Sequence, residues 1–169
     1  MGHPKMQRKK YETPFKPYYK DRIEREKKLL AEFGLRRKHE IQRAESILRD
    51  FRRRARELLA KKNDKKEKEL FDKVNKYGFN CSKLEDILGL NIENILSRRL
   101  QTIIFKKNFA STSKHARQMI VHGHVIVDDR RISWPSFLVP TELEAKIQLS
   151  PKIKNKIIAG EKDADTVSA

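Results

Sequence analysis

A chain of 169 residues with 40 Lys and Arg against 23 Asp and Glu has a formal net charge of +17, which draws nucleic acid, acidic proteins or anionic membranes to it. The 37% of hydrophobic residues are patterned, so this is a folded protein with basic faces rather than a disordered basic tail. A single cysteine, Cys81, excludes an internal disulfide and a cysteine-rich zinc site, and no apolar run is long enough for a transmembrane helix; with a basic, polar N-terminus, a soluble intracellular protein is expected.

Residues 1–20 hold three prolines, six Lys or Arg and four aromatics. Proline at this spacing opposes a helix. Cations such as Arg8, Lys9 and Lys10, interleaved with Tyr11, Phe15, Tyr18 and Tyr19, suit an extended arm whose rings stack on bases while its cations meet phosphate. A solvated, disordered terminus is the plainer reading of the same residues.

Residues 20–33 read as a helix that Gly34 stops. A longer helix follows, in which Ile41, Ala44, Leu48, Phe51, Ala55 and Leu58 recur in alternating steps of three and four and form one apolar stripe. Arg49, Arg52, Arg53, Arg54 and Arg56 crowd the rest of that helix. A solvated face is the usual fate of a charge run, but so many arginines without matching acids point to phosphate, which guanidinium forks grip bidentately. Asp64 with Glu67, and Ser82 with Glu85, look like capping boxes for two further helices that end at Gly78 and Gly89. From Ile92 to Lys107 the pattern is helical again, with Arg98 and Arg99 projecting beside an apolar face.

Asn108 is suited to a left-handed turn, after which Ser111 or Thr112 caps a helix ending at Gly123. At 100° per residue, Ala116, Met119 and Ile120 share one side, and Lys114, Arg117 and Gln118 the other. Residues 124–127 and 131–133 read as strands around an Asp-Arg-rich turn, with further short strands expected at 137–139 and 144–149. His122 and His124 lack the third ligand a metal needs, so a structural role or a phosphate contact fits His122 better. No phosphate loop, nucleophile elbow or other catalytic motif is present, and no cofactor is expected. The polar face of Thr112, Lys114, Arg117 and Gln118, flanked by Arg98, Arg99, Arg130 and Arg131, reads as a platform for a polyanion. Folded RNA suits it better than a DNA groove, because the helix is short and a strand follows at once.

The stretch RRLQTIIFKKNFASTSKHARQMIVHGHVIVDDRRISWPSFLV resembles the S-four RNA-binding domain. The upstream segments RKKYETPFKPY, EFGLRRKHEIQRAESILRDFRRRARELLA and LEDILGLNIENILSRRLQT look like the archaeal type of the small-subunit ribosomal protein S-four family. The resemblance runs from about Pro4 to Pro151. It implies an α+β fold: a helical N-terminal part plus a small αL-type module of two helices packed on a short, mostly antiparallel sheet. The implied domains are an extended basic arm at 1–20, a helical rRNA-binding domain at 21–97, the S-four RNA-binding domain at 98–151 and a tail at 152–169, disordered at its end.

The resemblance further implies a structural protein of the cytoplasmic small ribosomal subunit that binds its rRNA early in assembly. It would lie near the channel by which mRNA enters, beside other small-subunit proteins, with no membrane and no obligate homo-oligomer. Arg98, Arg99, Thr112, Lys114, Arg117, Gln118 and His122 would lie on or beside the RNA face. The arm and the helix of Arg49, Arg52, Arg53 and Arg56 would thread between RNA helices, and Arg131 would add a cation beside the hairpin turn. Relatives often place Asn-Gly in that turn; Asp128-Asp129 stands here, so a longer or different turn is expected, its carboxylates diluting the charge. The cysteine cluster that binds zinc in some bacterial relatives is missing, and no metal is expected. The alternatives are a free-standing RNA-binding or RNA-chaperone protein with such a domain, and a basic DNA-binding protein.

Overall fold

The structure, a computed structural model, describes residues 10–151. Arg8, Lys9 and the tail from 152 to 169 lie outside the described residues. Two compact units meet in sequence between Ser97 and Arg98.

In the first unit, residues 10–19 are non-helical and helix α1 spans Lys20–Glu32. Helix α2 (Lys38–Ala60) is the hub, against which α1, α3 (Asp64–Asn75), α4 (Leu84–Gly89) and α5 (Ile92–Ser97) all pack. Its apolar stripe is buried at every position, from Ile41 to Leu58. Its Ile, Leu and Phe side chains each contribute about 1.5–3 kcal/mol by leaving water, so the stripe organises the unit. The caps differ from expectation. Asn63, not Asp64, caps α3 by accepting from the Lys66 N–H at 3.3 Å, which leaves Asp64 as the first helical residue, near the positive end of the dipole. For α4 the pairing is Lys83 with Asp86 rather than Ser82 with Glu85. The Asp86 carboxylate reaches back to the N–H groups of Lys83 and Ser82, at 2.9 and 3.1 Å. Asn75 staples the next loop by accepting from the Cys81 N–H at 2.9 Å. Burial, and then the nearby Asp86 charge, push the Cys81 thiol up, as befits a packing residue rather than a nucleophile.

In the second unit, α6 (Leu100–Lys106) packs on α7 (Ser113–Val121), and a three-stranded antiparallel sheet runs in the order β2 (Arg130–Arg131), β1 (Val125–Val127), β3 (Ile147–Leu149). Leu100, Ile104, Ala116, Ile120, Val125 and Val139 make the centre of its core. The helix expected over 92–107 is broken. Arg99 is extended, Leu100 N–H donates to the Phe137 carbonyl at 2.8 Å, and Val139 N–H donates to the Arg98 carbonyl at 3.0 Å. A β-bridge of Arg99 with Leu138 replaces a helical turn, and it is the only β pairing made by the strand expected at 137–139. The strand expected at 144–149 forms over its second half, as β3, and helix α8 (Thr141–Glu144) precedes it.

The hairpin turn also departs from expectation. Val127 pairs with Arg130, and Asp128 and Asp129 have φ of +49° and +63°. This is the two-residue turn with two left-handed residues that Asn-Gly usually fills. Lys146 Nζ donates to Asp128 at 2.8 Å and holds the first aspartate in place.

Candidate nucleic-acid interface

The interface of the second unit begins with α7. Thr112 caps it, accepting from the His115 N–H at 3.1 Å, and Asn108, at φ +58°, supplies the left-handed turn between α6 and α7. Ala116, Met119 and Ile120 are buried, while Lys114 and Gln118 stand exposed on the opposite side with no hydrogen-bond or ionic partner for their side chains among the described residues. Gly123, at φ +73°, ends the helix in a conformation that side-chain-bearing residues rarely adopt. His122 is exposed at the helix C-terminus, where a cation is favoured, and its ring lies 6.0 Å from that of His124. Among the described residues no group of three metal-ligating side chains exists. Arg130 and Arg131 are exposed on β2, an edge strand.

Three of the expected contact residues are placed otherwise. Arg99 is 4% exposed, a core residue rather than a projecting one. Arg98 is half-buried, its guanidinium joined to the Glu144 carboxylate at 2.8 Å and to the Val139 carbonyl at 3.0 Å. Arg117 is half-buried too, donating at 3.2 Å to Gln101, which is fully buried and donates in turn to the Ser113 carbonyl at 3.0 Å. A buried guanidinium or amide needs acceptors, and folding brings the Val139 carbonyl and Glu144 carboxylate to Arg98 and the Gln101 side chain to Arg117. Gln101 escaped the sequence reading because its spacing marks it only as a core-facing position; a polar residue in an apolar stripe was the available signal.

In the first unit the arginines of α2 divide the same way. Arg49 pairs with Glu12 of the arm. Arg53 lies between Asp50 and Glu57, at 3.8 and 3.2 Å, so it does have matching acids. Arg52 donates to the Leu90 carbonyl at 2.6 Å, and Arg56 to the Arg52 carbonyl at 3.3 Å. Arg54 is exposed and unpaired among the described residues. An open groove of about 1000 Å³ runs along α1, α2 and residues 91–93, and is lined by Arg49, Arg52 and Arg56 together with Arg22, Arg25 and Lys28 from α1. Sequence reading missed the last three, although their three-residue spacing places them along one side of α1. The groove is not purely basic. Buried Glu26 pairs with Arg22 at 3.3 Å and Lys38 at 3.6 Å. The Glu45 carboxyl is pushed up by burial and by the Glu26 charge, against the pull of Arg22 and Arg25. Beside the groove the arm is anchored by Tyr11, whose ring stacks on His39 at 5.8 Å, while Phe15 and Tyr18 point into solvent. Lys10 is exposed.

No helix among the described residues is long and apolar enough to cross a membrane. The arrangement offers exposed cations, aromatic rings and hydrogen-bonding amides. That is the equipment for gripping a polyanion by phosphate and shape. Known proteins give it a family. The S4 domain matches residues 98–144. Small ribosomal subunit protein uS4 of Picrophilus torridus is 47% identical over 156 residues, spanning 87% of this chain and 85% of that protein. The uS4 protein of Methanococcus aeolicus is 45% identical over 157 residues, spanning 89% of each. That of Thermoplasma volcanium is also 45% identical, over 87% of this chain and 78% of its own length. Similarity of this depth across both units is a statement about the whole chain: it belongs to the uS4 family of small ribosomal subunit proteins.

Proposed function

We propose that this chain is a structural component of the small ribosomal subunit that binds its rRNA directly. It acts by binding, without a catalytic step, and its place is the cytoplasmic ribosome. In the finer reading it helps nucleate subunit assembly and lies beside the channel through which mRNA enters, next to other small-subunit proteins and without obligate self-association. The observation that carries the reading is the S4 match over residues 98–144 coinciding with the face where Lys114, Gln118, His122 and Arg131 stand exposed. On this reading Thr112 and Arg117 set the face, Arg98 and Arg99 hold the scaffold beneath it, and the arm and α2 contact RNA through Lys10, Arg54 and Arg56.

The test is a salt titration of binding to a small-subunit rRNA transcript, with duplex DNA as competitor. The wild-type chain prefers the rRNA at matched salt. Lys114→Glu weakens that binding and lowers the slope of log K against log salt by about one, since one phosphate contact is lost. Its melting temperature stays at the wild-type value because the side chain is exposed. Equal affinity for DNA and rRNA, or an unchanged slope in the variant, contradicts the reading.

A further inference from the structure

Trp134 is the only tryptophan in the chain, and it is 68% exposed. An indole in water keeps apolar area hydrated, and its flat face is open to a partner. The ring does not hang on a loose loop. On one side, Ile132 N–H donates to the Val125 carbonyl at 3.2 Å, and its side chain packs on the core. On the other, Phe137 N–H donates back to the Trp134 carbonyl at 3.1 Å, and the Phe137 carbonyl receives the Leu100 N–H at 2.8 Å. Pro135 follows directly and fixes its own φ. The indole therefore projects from a turn pinned to the hairpin and to the start of α6. Little ordering entropy remains to be lost when something docks on it.

The surroundings select the partner. Arg130, Arg131, Ser133 and Ser136 are all exposed. Tryptophan and arginine serve protein interfaces too; what favours nucleic acid here is the net charge of +17 and the two exposed arginines of β2, which attract phosphate. An aromatic face with cations roughly 10 Å away along an extended chain is the arrangement that takes a base on the ring and its backbone phosphate on the guanidinium. Inside a duplex both faces of a base are covered by stacking, so the base taken here is an unstacked, unpaired one.

We propose that Trp134 is a stacking platform for one unpaired base of the RNA bound by this unit, with Arg130 and Arg131 holding the adjoining phosphates. The inference rests on the RNA-binding reading above and names the structural class of RNA that this edge of the unit takes.

Because Trp134 is the sole tryptophan, its fluorescence reports this position alone. The full-length chain is titrated with a small-subunit rRNA transcript, alongside Trp134→Ala, Trp134→Phe and Lys114→Glu. Expected are quenching of the emission when RNA binds, and a loss of affinity of about 5- to 150-fold in Trp134→Ala. Trp134→Phe retains most of the affinity, and both tryptophan variants melt at the wild-type temperature. Unchanged emission with unchanged affinity in Trp134→Ala overturns the proposal. So does emission that moves only when other ribosomal proteins are added, which would make Trp134 a protein contact. If the wild type binds rRNA and only Lys114→Glu is impaired, the stacking platform fails and the RNA-binding reading stands. If the wild type does not bind rRNA, both fail.

Discussion

Asp86 organises the start of α4 although it lies in the open. Its carboxylate accepts from the N–H groups of Lys83 and Ser82, and these bonds hold its pKa below the usual carboxylate range. A carboxyl whose folded-state pKa is depressed contributes stability at neutral pH and loses it as acid protonates the folded form. Asp86→Asn should therefore lower the melting temperature at pH 7, and the gap to the wild type should close below the ordinary carboxylate range. Thermal melts across that range measure it; a gap independent of pH would show that charge at Asp86 is irrelevant. The same scale shows what composition hides. Counting arginines could not separate Arg54, which is unpaired among the described residues, from Arg53, which has two carboxylates, or from Arg99, which is in the core. That distinction depends on acceptors brought together by folding. Asp128 likewise looked like a poor occupant of a left-handed turn until Lys146, eighteen residues on, supplied a partner that also holds its carboxyl below the usual range.

Among the elements, α2 was the most legible because a period of 3.6 over 23 residues has one structural solution. All six expected stripe residues are buried, with Leu48 4% exposed at the middle. Leu48→Ala should cost about 2–5 kcal/mol in urea unfolding of the full chain, from lost transfer energy plus the cavity left behind. A near-neutral result would mean that α2 is not the hub. The helices of the second unit were legible for the same reason on their apolar sides. The break before α6 was not. Arginine and leucine are good helix formers, and only the pairing of residues 98–100 with 137–139 pulls the backbone out of a helix there. Strand ends were misjudged where three-residue strands leave too little alternation to read. Capping erred by one residue at α3 and at α4, because Asn63 and Asp86 lie next to other good capping residues.

For the whole molecule, a net charge of +17 sets a long-range attraction to polyanions and says nothing of which one. Identity came from order along the chain: an aromatic basic arm, a helix with a stripe and an arginine run, then the S4 module. Its exposed cations are spread over both units, and each contact is individually weak and screened by salt. Selectivity on this account comes from many such contacts on one folded RNA, with Trp134 and the polar face of α7 adding shape. The most direct test is crosslinking of the protein to RNA in cells, followed by sequencing of the attached RNA. Reads gathered in one region of small-subunit rRNA, with crosslinked peptides from α7 and the hairpin, are the predicted result. Reads scattered over many RNAs, or recovery of DNA, would contradict a dedicated rRNA-binding role and leave only a general affinity for polyanions.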